Sequence, residues 1–387
     1  MDPSQFGPRA PGQAVSVPGK GYYAFIPAPL PPDLQWTDAL VRALSEADRA
    51  IGELAGLGRT IANPALLIQS FVRREAVLSS RIEGTQASIN DLYQYEVDQL
   101  SSLSRPSDVK EVYNYVQALE YGLNRLKTLP LSLRLIREIH AHLMAGVRGG
   151  TQTPGEFRRT QNWIGTPGAY LADAAFVPPP PDAMHEALNQ FESFLHGASE
   201  LPSLVQLGLI HYQFEVIHPF LDGNGRVGRL LLALLLCAWE LLPQPLLYLS
   251  AYFEMHRDQY YSHLLTVSQS GAWAAWLSFF LNAVKTQSTD AIVRADRLLA
   301  LREQYHQRFQ NQRTSSRLLQ AVDYLFQRPI LTVTHLAEAI DVSVMSASRY
   351  VATLEGKGVL TEITGQTRNR RYLADEVLAA INRPVDG

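Results

Sequence analysis

Apolar residues recur at helical spacing from Trp36 to about Leu126. Ala39, Leu40, Ala43 and Leu44 make one such stripe, and Val109, Val112, Val116 and Leu119 make another. Positions three, four and seven apart share a face of a helix with 3.6 residues per turn, so each set predicts an amphipathic helix. Residues 1–35, by contrast, hold many Pro and Gly with little periodicity, which predicts an extended N-terminal arm. Gly146, Gly149, Gly150, Pro154 and Gly155 punctuate the middle of the chain. Two apolar strips follow, Trp163-Ile164-Gly165 and Ala175-Phe176-Val177, on either side of a polar tip and closed by the prolines at 178–181. Proline cannot continue a strand ladder, so these strips predict a small β-hairpin. The helical pattern resumes at about Asp182 and runs to about Gln310. The chain thus divides into an arm (1–35), a helical region (36–126), a core (127–310) and a C-terminal module (311–387). The fold class expected is mainly α.

Composition narrows the picture. The chain has 387 residues, enough for two or three domains, and its 46% hydrophobic and 18% charged content is that of a globular protein. A net charge of −3 argues against a globally basic nucleic-acid binder. Cys237 is the only cysteine, which excludes an intramolecular disulfide. The first twenty residues show no apolar signal-peptide core. The run from Leu230 to Trp239 is shorter than the roughly 20 residues that cross a bilayer. A cytoplasmic location with no membrane partner is the expectation.

The chemistry concentrates between His218 and Arg229: His-Pro-Phe-Leu-Asp-Gly-Asn-Gly-Arg-Val-Gly-Arg. This stretch immediately precedes the apolar run from Leu230, so it reads as a loop feeding a helix N-terminus. Free backbone N–H groups and the helix dipole favour a phosphate there. Gly223 and Gly225 let the backbone come close to an anion. Arg226 and Arg229, three apart, are expected to share a face and reach polyphosphate oxygens. Asp222 suits a hard cation such as Mg²⁺ that bridges phosphates. His218 is left beside them as a group able to take a proton near neutral pH.

At every fixed position these residues match the signature His-x-Phe-x-Asp/Glu-Gly-Asn-Gly-Arg-x-x-Arg, and the chain resembles the Fic family over about residues 40–290. The resemblance implies a helical bundle with a β-hairpin flap, and an enzyme that moves AMP from ATP to a protein Ser, Thr or Tyr hydroxyl. In that reading His218 is the base and Asp222 positions Mg²⁺ or Mn²⁺. Gly223, Asn224 and Gly225 form the anion turn, Arg226 and Arg229 neutralise the β- and γ-phosphates, and Phe220 anchors the loop. The hairpin becomes the flap, with Ile164, Gly165 and Phe176 aligning an extended target segment. Tyr261, in Asp258-Gln-Tyr-Tyr261, falls where the family supports the adenine, although an aromatic on an amphipathic helix is as readily core.

Ser79-Ser80-Arg81-Ile82-Glu83-Gly84 resembles the inhibitory motif Ser/Thr-x-x-x-Glu-Gly/Asn of autoinhibited Fic proteins. The resemblance implies that Glu83 occupies Arg229, that Ser79 ties the helix to the nucleotide site and that Gly84 turns the chain. Self-modification belongs to the same expectation.

In the C-terminal module, Leu336, Ala339 and Ile340 suit a helix capped by Thr334. Ala347, Tyr350, Val351 and Leu354 suit a second helix after Ser343, and Val359 to Tyr372 reads as two strands around a basic tip. The order resembles a winged helix-turn-helix. It leaves open DNA contact, through Ser346, Ser348, Arg349, Arg368, Arg370 and Arg371, or protein contact, including a homodimer. Two other functions stay open beside AMP transfer to a protein: hydrolytic removal of AMP from one, and nucleotide sensing by a DNA-binding regulator.

Overall fold

The computed structural model describes residues 1–61, 63–98, 107–147, 153–165, 170–171, 174–310 and 315–384. It is mainly helical. The first departure from expectation is at the N-terminus. Rather than an arm, β1 (Gly12–Ser16) and β2 (Tyr23–Pro27) pair antiparallel, with Gly12 opposite Pro27 and Ser16 opposite Tyr23. The reason is burial: Ala24 and Phe25 are fully buried, and the Phe25 N–H donates to the Val177 carbonyl at 2.8 Å. Composition alone does not show that these two residues find an apolar partner so far along the chain.

Four helices follow: α1 (Asp38–Thr60), α2 (Ala65–Ile82), α3 (Ile89–Asp98) and α4 (Ser107–Arg125). Thr37 starts the first by accepting the Leu40 N–H on its hydroxyl, a cap that satisfies an otherwise orphan donor. Next come α5 (Leu133–Leu143), α6 (Pro181–His196), α7 (Ser203–Ile217), α8 (Asn224–Ala238), α9 (Ser250–Met255), α10 (Arg257–Ser270) and α11 (Trp273–Gln310). In α7 every residue from Leu204 to Ile217 except Gln206 is buried. A helix apolar all round belongs in the middle. Packed against α8, α1, α6, α10 and α11, α7 is the post on which the site is built.

The expected central hairpin is reduced to one bridge among the described residues. Ile164 and Phe176 exchange two backbone hydrogen bonds, of 2.8 and 3.1 Å; the tip at 166–169 and residues 172–173 lie outside the described residues.

The C-terminal residues form α12 (Ser316–Gln327), β3 (Ile330–Leu331), α13 (Val333–Ala339), α14 (Val344–Gly356), β4 (Thr361–Glu362), β5 (Tyr372–Leu373) and α15 (Asp375–Asn382). The strands make one antiparallel sheet in the order β3-β5-β4. Thr332, not Thr334, caps α13 by accepting the His335 N–H; Ser343 caps α14 as expected. This module is keyed to α2 and α3 by charge. Glu96, 3% exposed, pairs with Arg73 and with Arg328, both at 2.8 Å, and Asp98 pairs with Arg371 at 2.5 Å. No helix among the described residues is long and apolar enough to cross a membrane.

Candidate active site

The loop between α7 and α8 is held from three sides. Its first residue, His218, ends α7 in the left-handed conformation, φ 49° and ψ 60°. A non-glycine residue there carries strain of about 1–3 kcal/mol, which the surroundings must offset. They do so through the backbone. Arg158, 1% exposed, donates to the carbonyls of His218 (2.9 Å), Thr160 (3.2 Å) and Pro179 (2.5 Å), and its N–H bonds the Pro219 carbonyl at 2.9 Å. The Asn162 amide donates to the Phe220 carbonyl at 2.8 Å and the His218 carbonyl at 3.3 Å. Asn224 grips Phe220 from the other side, accepting its N–H and donating to its carbonyl, both at 2.8 Å. The Asn224 side chain thus shapes the turn from behind, and what it presents to an anion is its backbone. Beneath, His140 stacks on the Phe220 ring at 3.7 Å and 7°. Its Nδ1 accepts the Gly155 N–H at 2.9 Å, so Nε2 carries the proton and donates to the Asp222 carbonyl at 3.0 Å. Burial pushes His140 down to about 4, keeping it neutral.

The same logic fixes the tautomer of His218. Its Nδ1 lies 3.1 Å from the Glu215 carbonyl, which can only accept, so Nδ1 holds the proton and Nε2 is the free acceptor. Burial pushes this imidazole down to about 4, against the pull of that carbonyl. At neutral pH it is an uncharged base.

Gly223, φ 79°, precedes α8, whose start has no side-chain cap. The first-turn N–H groups are left for another acceptor. Above them stands Glu83. It caps the C-terminus of α2, and Gly84, φ 97°, turns the chain away just after it. The Glu83 carboxylate meets the Arg229 guanidinium at 2.6 Å, while Ser79 accepts from Arg229 through its hydroxyl and its carbonyl, both at 2.9 Å. The carboxylate also lies against Gly225 so closely that a Cβ there would collide with it. Burial acts to raise the Glu83 carboxyl, and Arg229 outweighs it, holding the group below its ordinary value.

These groups face an open cleft of about 620 Å³, within the usual range for a small-ligand site. His218, Gly225 and Arg229 line one side; Trp163, Ile164, Gly165 and Phe176 form the rim; Tyr261, Leu264, Leu265 and Ser268 of α10 form the far wall. The Arg257 guanidinium lies 5.9 Å from the centre of the Tyr261 ring.

Arg226 does not share this face. It is 3% exposed and turned to α4 and α5, with Glu111 at 3.0 Å and the Met144 sulfur at 3.8 Å. Three residues advance about 300° around a helix, and that offset turns Arg226 toward α4 and α5 while Arg229 meets α2. Asp222 is 44% exposed, its Oδ1 bound to the Gly223 N–H at 2.6 Å and 3.6 Å from Arg226. The sequence reading missed Arg158, Asn162, the role of His140 and the side chain of Glu215. Burial raises Glu215 to about 7, with Arg229 opposing. The first three bind backbone carbonyls or N–H groups, contacts that leave no local sequence signal.

In the C-terminal module Arg349 and Arg368 are exposed, and Arg370 donates to the Gln366 carbonyl at 2.8 Å. Arg371, expected on the wing for phosphate contact, is instead spent on Asp98 because the module docks on α3.

Residues 41–124 match the Fic/DOC family N-terminal profile and residues 130–236 the Fic/DOC family profile. A protein adenylyltransferase Fic of Drosophila grimshawi is 29% identical over 178 residues, 45% of this chain and 33% of that protein. A probable protein adenylyltransferase of Aquifex aeolicus is 29% identical over 174 residues, 43% of this chain and 49% of that protein. A protein adenylyltransferase Fic of Aedes aegypti is 32% identical over 141 residues, 36% of this chain and 25% of that protein. The chain therefore spans between a quarter and a half of these relatives. A crystal structure of a Fic family protein from Desulfovibrio desulfuricans G20 superposes with a TM-score of 0.57 at 20% identity, covering 89% of this chain and 98% of that one. The two share a fold.

Proposed function

We propose, from the premise that this chain carries Fic/DOC family domains, that it is a protein adenylyltransferase restrained by its own Glu83. The observation that carries the reading is the capture of Arg229 by Glu83 and Ser79 directly above the uncapped start of α8. A guanidinium on a phosphate-binding turn, held by a carboxylate, is a triphosphate site with a stand-in anion.

In the reaction a target hydroxyl oxygen attacks the α-phosphorus of ATP. Its proton passes to Nε2 of His218, the new O–P bond forms, and the bond to the bridging oxygen breaks to release pyrophosphate. Free N–H groups of the α8 first turn hold phosphate oxygens, and Arg229 takes the γ-phosphate once Glu83 leaves. The Ile164–Phe176 rim offers backbone edges to an extended target segment. Asp222 fits a divalent cation: it is exposed, and its Oδ2 is free of partners among the described residues, the donor set of Mg²⁺ bound mostly by phosphates and water. When bound, such an ion offsets phosphate charge as pyrophosphate forms.

The test uses labelled ATP and a cell extract, followed by mass spectrometry. Glu83→Gly should transfer AMP, to itself included, at least tenfold faster than wild type, and Arg229→Ala should be inactive with or without Glu83. Because both substitutions act through one contact they should be non-additive. A folded Glu83→Gly protein no faster than wild type overturns autoinhibition. No AMP transfer from any variant overturns the enzyme.

A further inference from the structure

Resting on the nucleotide reading above, we infer that the side chain of Glu215 is the acceptor for the ribose hydroxyls of the bound nucleotide, and so sets a preference for ribo- over deoxyribonucleotides. Glu215 lies in the last turn of α7 and lines the cleft with Val216. It is 9% exposed: Oε1 is sealed against α8 with no hydrogen-bond partner, which leaves Oε2 as the carboxyl oxygen that serves the cleft. The carboxyl packs against Gly228 of α8, where a Cβ would strike it. A buried carboxyl without a donor is costly, and such groups in native proteins usually have a use.

Position and chemistry select the use. A nucleotide with its phosphates at Gly225 and Arg229 and its base against the Tyr261, Leu264 and Leu265 wall spans the cleft. On this inference its sugar lies between them, beside Glu215. The vicinal hydroxyls are two donors in need of an acceptor. Of the other polar lining side chains, Arg229, Arg257 and the Trp163 indole only donate, Glu83 is taken by Arg229, and the Ser268 hydroxyl is engaged with Tyr212 and the Leu264 carbonyl. The Tyr261 hydroxyl can accept, but as a neutral group it is a weaker acceptor than a carboxylate. His218 Nε2 is reserved for the attacking hydroxyl. A carboxylate accepting a ribose hydroxyl is chemistry well suited to nucleotide sites.

The experiment is calorimetric titration of ATP, 2′-deoxy-ATP and 3′-deoxy-ATP with Mg²⁺ into the Glu83→Gly protein, where the brake does not compete, and into the same protein carrying Glu215→Ala or Glu215→Gln. The expected result is that at least one deoxy analogue binds about tenfold more weakly than ATP, the scale of a charge-assisted hydrogen bond. Glu215→Ala should reduce that ratio to within about twofold. Glu215→Gln, which keeps an acceptor oxygen and the shape, should retain part of it. A purely structural Glu215 would change the affinity for all three nucleotides alike and leave the ratio. Equal binding of all three in the Glu83→Gly protein overturns the inference whatever the Glu215 variants do, as does a ratio that survives Glu215→Ala. Absence of any ATP binding overturns the nucleotide reading itself, and this inference with it.

Discussion

His218 carries three constraints at one position: a left-handed backbone, a tautomer set by the Glu215 carbonyl and a neutral ring. In the proposed reaction it is the base, and replacing it removes that group without touching the turn at residues 223–225. His218→Ala in the Glu83→Gly protein should therefore bind ATP within about threefold and transfer AMP at least a hundredfold more slowly, the usual scale of general-base catalysis. Calorimetry and a single-turnover assay would separate the two effects, and normal transfer would remove His218 from the chemistry. The histidines also govern acid stability. Burial pushes His140 and His218 down to about 4 and His211 down to about 3. Their folded values lie below their unfolded ones, so the stability they contribute is present above about pH 6.5 and is lost as pH falls toward 4. Burial also raises Glu215 to about 7 and lifts Glu75, Glu120 and Asp48 above their ordinary values, which works the other way as pH falls below 7, while burial lowers His263 and His335 like the first three histidines. The melting temperature should fall as pH drops from 6.5 to 4. A flat or rising profile would contradict the buried neutral state of these rings.

At the scale of elements, the α7–α8 loop is a backbone object held by distant side chains. Asn162→Ala removes donors to both Phe220 and His218 yet lies outside the nucleotide path. It should lower kcat by tenfold or more with KM for ATP changed less than threefold, since small misplacements of a reacting group are expensive in rate. A change confined to KM would place Asn162 in binding. The helices were largely legible in the sequence, because a stripe such as Val109 to Leu119 is a local pattern. The turn into α8 was legible too, since the residues that make it lie within twelve consecutive positions. Less was visible where two distant segments meet. The β1–β2 hairpin depends on Phe25 reaching Val177, and the paths of Arg226 and Arg371 depend on Glu111 and Asp98. Arg158 showed nothing, because its partners are carbonyls up to sixty residues away.

For the whole molecule, the C-terminal module and α2 are joined through Glu96, which sits between Arg73 of α2 and Arg328 of the module. Removing one member of a buried ion pair leaves an uncompensated charge and costs about 3–5 kcal/mol. Glu96→Ala should therefore destabilise the protein by about that much in chemical denaturation, and Arg328→Ala, at the more exposed end, by less. Equal and small losses would show that the module is only loosely attached to α2.

On the function proposed above, the Glu83 carboxylate amounts to a tethered competitor for the γ-phosphate, present at a fixed local concentration in every molecule. Dilution cannot relieve it, and its hold on Arg229 does not depend on how much protein a cell makes. On that proposal, only the fraction of molecules with Glu83 withdrawn seats the triphosphate productively. If that fraction is about 1%, the apparent affinity for productive ATP falls about a hundredfold, and a signal worth roughly 2.7 kcal/mol on the last turn of α2 brings the open and closed forms to parity. A binding event too weak to unfold anything is thus strong enough to turn such a protein on.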